Sequence, residues 1–186
     1  MPATLLAAVA LGIVATFLSL RGDPGFGAVR LGPWTSFPGL GGADIDPYAR
    51  AVMAVEGALP LGTGEGLAFV ADVDDKGLAL DSRCDYQISG AALPARFWTL
   101  SVYDSDGRLR RNGAGRYGLT SASLLRASDG GFTINAAREA RPGNWLPLGE
   151  NSRFVLVLRA YEAGASSLAS AFEGLIMPTI TRGVCS

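Results

Sequence analysis

The chain contains no histidine. That absence removes the commonest general base, the commonest metal ligand and the usual partner of a Ser or Cys nucleophile. No G-x-S-x-G or S-x-x-K motif occurs, and without histidine no Ser-His-Asp triad can form. Carboxylate-pair chemistry needs only two acids at a suitable separation. Glu65, Asp72, Asp104 and Asp106 are candidates, but nothing in their spacing predicts that they meet. Asp72, Asp74 and Asp75 before Gly77 resemble the start of a calcium loop. The fifth and twelfth positions of such a loop need oxygen ligands; here they are Lys76 and Arg83, so the segment reads as a hairpin turn. Gly113–Gly118 (GAGRYG) matches G-x-G-x-x-G. That motif holds a dinucleotide only between a strand and a helix N-terminus, and here it sits among β-segments, so it reads as a loop. This inventory favours a non-catalytic role and implies neither metal nor cofactor.

Two cysteines occur, Cys84 and Cys185. They form no CxxC motif and are too far apart for a zinc knuckle. In an exported domain the natural reading is one disulfide, closing a loop of about 100 residues and contributing roughly 4–5 kcal/mol; the alternative is two buried free thiols. Export is argued from the amino end. Residues 3–20 carry no charge and as a helix rise about 27 Å, close to a bilayer core. A cleaved secretory signal is the alternative, but Met1-Pro2 offers no basic residue and no A-x-A site precedes Arg21. The expectation is an uncleaved anchor over residues 1–21. Arg21 and Arg30 lie on its C-terminal flank, so the positive-inside rule does not orient it. The cysteines do, because a disulfide needs the oxidising side.

The remaining roughly 160 residues suit one domain. The chain is 48% apolar, 18% charged and has a net charge of −1, with Lys76 its one lysine. Nothing in that balance favours nucleic acid. Residues 22–44, rich in Gly and Pro around Trp34 and Phe37, read as an extended linker. Asp46 suits a helix N-cap and Pro47 the first helical position. Tyr48, Val52, Val55 and Leu59 then make one apolar stripe, stopped by Pro60 and Gly62. From residue 66 the period becomes two. Strands are expected at 67–73, 84–89, 97–103, 132–136 and 154–161, with a return strand beginning at 78–80 and turns at 74–77 and 106–107. Trp98, Leu100 and Val102 share one core-facing side. Residues 166–172 suit a short helix, and the chain beyond Pro178 looks extended. Short strands separated by turns imply an antiparallel sandwich.

The stretch Arg96–Asp104 (RFWTLSVYD) resembles the bacterial family called domain of unknown function 1214. Asp106-Gly107, Asn112, Arg116-Tyr117, Asn144-Trp145-Leu146-Pro147 and Leu158-Arg159-Ala160-Tyr161 extend the resemblance. So do Asp46-Pro47-Tyr48-Ala49-Arg50, Cys84-Asp85-Tyr86, Gly90, Pro178, Ile180, Arg182 and Cys185. It implies a jelly-roll-like β-sandwich and no assigned reaction. In longer relatives this domain follows another, domain of unknown function 1254, so the expected partner is a separate, similarly anchored companion carrying it. Residues 144–147 read as a loop whose Trp plugs the sandwich edge and whose Asn holds backbone groups. Asn112 and Arg116 are expected to brace the turn at Asp104 or Asp106. A sharper reading has Tyr103, Asn112, Arg116, Asn144 and Trp145 lining a cleft for a small anionic or carbohydrate-like ligand.

The expected protein is therefore a single transmembrane helix (1–21), a linker (22–44) and an all-β, antiparallel jelly-roll-like sandwich (45–186) with one short N-terminal helix. Its expected place is the bacterial inner membrane, with the domain in the periplasm. The leading function is a non-catalytic interaction module. The alternatives are a ligand-binding or carboxylate-based enzymatic sandwich, and a membrane subunit whose helix, with Gly12 and its alanines, forms the interface.

Overall fold

A computed structural model describes residues 2–21, 27–42, 45–56, 61–62, 64–150, 152–162 and 174–185. The elements run α1 (Pro2–Arg21), β1 (Val29–Leu31), β2 (Trp34–Ser36), a 3-10 turn (Pro38–Gly41), α2 (Pro47–Glu56), β3 (Gly66–Ala71), β4 (Cys84–Gly90) and β5 (Phe97–Asp104). They continue with β6 (Gly118–Thr120), β7 (Phe132–Ala137), β8 (Asn144–Pro147), β9 (Phe154–Tyr161) and β10 (Thr179–Cys185). The protein is mostly β. One sheet has the order β1-β2-β3-β9-β5-β6 and the other β10-β4-β7-β8.

Alternation builds both sheets around one core. Trp98, Leu100 and Val102 of β5 and Phe154, Leu156 and Leu158 of β9 face inward. Tyr86, Ile88, Phe132 and Ile134 face them from the smaller sheet. Trp98 meets Phe132 with ring centroids 4.9 Å apart, and Tyr86 meets Phe154 edge-on at 5.5 Å. Aromatic rings in such tilted contacts add to what their burial alone contributes.

Most expected strands form within two residues of their predicted ends. Asp46 caps α2, accepting the Ala49 amide at 3.2 Å, and Gly107 takes the positive φ that its turn requires. Residues 74–77 form the expected turn, in which the Asp74 carboxylate accepts the amides of Lys76 and Leu78 at 3.0 Å each. The return strand expected at 78–80 is reduced to a single bridge between Val73 and Ala79. The stop at Pro60, Leu59 and the helix expected at 166–172 lie outside the described residues, as do the side chains of Tyr48, Val52 and Val55.

Three expectations need correction. Residues 22–44 are not only linker, because β1 and β2 form a hairpin that joins the larger sheet through β3. Trp34 is fully buried, and its indole N–H donates to the Pro178 carbonyl at 2.6 Å. Residues 144–147 are a strand rather than a loop. β8 pairs parallel with β7, so the smaller sheet is not wholly antiparallel; Pro147 fits because β8 is an edge strand. At the amino end a helix does form over Pro2–Arg21. Among the described residues, however, no helix is long and apolar enough to cross a membrane.

Candidate ligand groove

The turn-rich segment after β5 carries the residues of interest. Asn112 folds it into a tight loop. Its side-chain oxygen accepts the Arg116 amide at 3.2 Å, and its nitrogen donates to the Arg116 carbonyl at 2.8 Å and the Arg110 carbonyl at 3.3 Å. The Arg116 guanidinium reaches over to the Trp145 carbonyl at 3.1 Å. The 112–116 loop is thereby tied to β8. Between them opens a groove of about 860 Å³, lined by Arg111, Asn112, Ala114, Arg138, Trp145 and Glu150 together with Gly113, Pro147 and Gly149. The indole N–H of Trp145 is committed to the Ala137 carbonyl at 3.0 Å.

The structure thus brings Asn112, Arg116 and Trp145 together and sends the other two candidates elsewhere. Asn144 is buried: its oxygen accepts the Leu125 amide at 2.7 Å, and its nitrogen donates to the carbonyls of Leu125 and Thr133. It fastens the 125 segment to β7, the backbone-holding role expected of it. Tyr103 lies on the outer face of the larger sheet, where Arg159 donates to its hydroxyl at 3.0 Å and stacks on its ring. Asn112 and Arg116 brace their own loop, whereas the turn at Asp104 is held by its own carboxylate, which accepts the amides of Asp106 and Arg108. Glu65 precedes β3 at the Tyr161 end of β9, and Asp104 pairs with Phe154 at the other end. Those two acids are therefore separated by the length of a strand.

Sequence reasoning missed Arg110, Arg111, Arg138 and Glu150. Arg110 is 6% exposed. Its guanidinium donates to the carbonyls of Ser152 and Arg153 at 3.2 Å each, to Ser82 Oγ at 3.0 Å and to the Glu150 carbonyl. It also sits over the Phe154 ring. Among the described residues no carboxylate bonds to it. Burial pushes this guanidinium below its ordinary pKa, while the charges of Asp104, Asp81 and Glu150 act the other way. Gly149, with φ +70°, separates it from the groove: a Cβ there would lie 3.5 Å from Arg110 Nε and collide with the Arg111 carbonyl. The signal for Arg110 is inverted, since Leu109 is 50% exposed while its charged neighbour is buried.

Fold and groove together define a two-sheet β domain with an arginine-lined edge and a disulfide between its terminal strand and β4. The chain belongs to the family described as Protein of unknown function (DUF1214), which matches residues 65–165. It is similar in structure to the VPA0106 protein from Vibrio parahaemolyticus, with a TM-score of 0.61 and 25% identity over 76% of this chain and 36% of that one. A putative uncharacterized protein from Burkholderia cenocepacia gives a TM-score of 0.48 and 20% identity over 69% of this chain and 32% of that one. The chain thus spans about a third of the length of these solved structures. No curated protein matches it.

Proposed function

We propose that this is a bacterial envelope protein, attached to the inner membrane through its uncharged amino-terminal run, whose periplasmic domain is a non-catalytic interaction module. The observation that carries the reading is the outer face of the larger sheet. Strand register sets Thr35, Val70, Val157, Ser101 and Gly118 in one row, and Ala68, Arg159, Thr99 and Thr120 in the next. Tyr161 and Phe97 close one end, and Tyr103 and Val155 the other. No acidic side chain lies in these rows. Arg159 is the one charge away from the β1 edge, and it is turned onto Tyr103. A weakly charged face of this kind suits burial against another protein surface.

The proposed occupant is a companion carrying the domain of unknown function 1254. The long Vibrio relative supports it, since its match to this chain leaves most of that protein unaccounted for. The jelly-roll-like reading is supported by the neighbours β3-β9-β5 and β10-β4-β7, which interleave early and late strands. Membrane attachment is supported by the uncharged run 3–20, whose Thr16 hydroxyl is satisfied by the Gly12 carbonyl at 2.9 Å. Detergent co-purification tests the assignment. The wild-type chain is expected to retain a partner that the Val70→Glu variant loses, at a stability cost of about 1 kcal/mol. A wild-type chain that runs as a lone monomer sinks the proposal, as does a variant that keeps its partner.

A further inference from the structure

We infer that the groove between the 112–116 loop and β8 binds a sugar acid, a carbohydrate ring bearing a carboxylate. The site is independent of the outer sheet face and lies at the edge where β8 borders the approach to β6.

Four features select that chemistry. The first is charge. Arg111 and Arg138 line the groove, and Arg116 closes the loop beside it. Behind Gly149 stands the buried Arg110 guanidinium, held by carbonyl oxygens and a hydroxyl. Glu150 is the one acid in the lining. Guanidinium forks match a planar carboxylate through paired N–H donors.

The second is Trp145. It lines the groove with its N–H already donated, so it brings an indole with apolar faces rather than a free donor. Such a face packs against the C–H side of a sugar.

Glu150 supplies the third. A second negative group would repel a phosphate dianion, but a carboxylate accepts hydrogen bonds from ring hydroxyls. One acid among several arginines therefore favours a singly charged ligand rich in O–H donors.

The fourth is readiness. The three hydrogen bonds of Asn112 and the Arg116–Trp145 link fix the loop in advance, so little ordering cost remains at binding. The amides of Gly113 and Ala114 have no hydrogen-bond partner among the described residues, and a Cβ at Gly113 would meet nothing within 4 Å. The volume falls within the range of small-molecule sites, roughly 300–1,000 Å³.

Calorimetric titration and thermal shift of the full chain in detergent test the site with glucuronate, glucose, benzoate and inorganic phosphate, each to about 10 mM. Glucuronate is expected to bind and raise the melting temperature, while glucose does neither. Arg111→Gln is expected to weaken glucuronate at least about tenfold while melting like the wild type without ligand. Arg138→Gln gives an independent second reading of the same loss. No glucuronate binding overturns the inference, as does equal binding of benzoate or phosphate, or an Arg111→Gln variant of unchanged affinity.

Discussion

Arg110 carries a positive charge into the interior with no carboxylate bonded to it among the described residues. Four oxygens and the Phe154 ring replace its water. Hydrogen bonds from a charged donor are stronger than neutral ones, and oxygens left behind by its removal keep their full desolvation cost. Arg110→Met keeps an unbranched apolar stem, removes the guanidinium and strands those acceptors. The expected result is a loss of about 2–4 kcal/mol, read as a lower denaturant midpoint with an unchanged slope. Arg110→Lys recovers part of it, because one ammonium cannot span acceptors laid out for a planar fork. An unchanged midpoint for Arg110→Met would show that the cage contributes nothing. The residue was invisible in the sequence for a physical reason. Its burial depends on Ser82 and residues 150–153, which alternation in its own segment cannot report. Trp98, Leu100 and Val102 were legible because their own strand dictates which side each one faces.

At the level of elements, the final strand behaves as a strap. β10 is held along β4, and side chains from the 74–80 turn grip it. Arg182 donates to Asp74 at 2.7 Å and to the Ala79 carbonyl at 2.6 Å, and Asp75 accepts the Ile180 amide at 2.8 Å. Burial by itself would raise the Asp74 carboxyl, but the Leu78 and Lys76 amides and Arg182 outweigh it and hold it below its ordinary value. The Arg83 side-chain bond brings Asp81 to about 2, though Arg83 is 64% exposed and solvent screens much of that pair. A carboxyl lowered by folding stabilises the fold above its unfolded value and stops doing so as pH falls through its folded value. Stability is therefore expected to hold from pH 7 to about 5 and to decline from about 4 toward 2. Amide exchange in β10 and β4 should accelerate there before that in β5 and β9. Asp74→Asn should flatten the decline; an equally steep acid limb in that variant would place the sensitivity elsewhere. The turn at 74–77 could be read from Asp-Asp-Lys-Gly, whereas its grip on β10 could not, since Arg182 lies 108 residues from Asp74. The hairpin of β1 and β2 did leave a trace. Gly32-Pro33 separates two three-residue strands, and Gly32 takes positive φ, but strands that short cannot show a period.

Over the whole molecule, one covalent bond decides how the chain end is kept. Cys84 and Cys185 join in a disulfide across a sequence separation of 101, at the register position where β10 leaves β4. This pairing was legible because the chain offers two cysteines and no others. The groove was legible only in part. Trp145 and Arg116 stood out as residue types, but a lining drawn from residues 111–114, Arg138, Trp145, Pro147, Gly149 and Glu150 exists only once the smaller sheet has brought its edge to the loop before β6. The bond also ties the fold to the proposed periplasmic location, where such bridges persist. In the chain-entropy description a loop of this size contributes about 4–5 kcal/mol by restricting the unfolded chain. For a domain of this length that corresponds to a fall of roughly 10–15 °C in melting temperature on reduction. The Cys84→Ser/Cys185→Ser variant should melt where the reduced wild type melts and ignore dithiothreitol. Unequal melting of those two proteins would mean that the free thiols perturb the edge by themselves. Equal melting of reduced and oxidised wild type would mean that Arg182, Asp75 and the Trp34–Pro178 bond hold the strap without help.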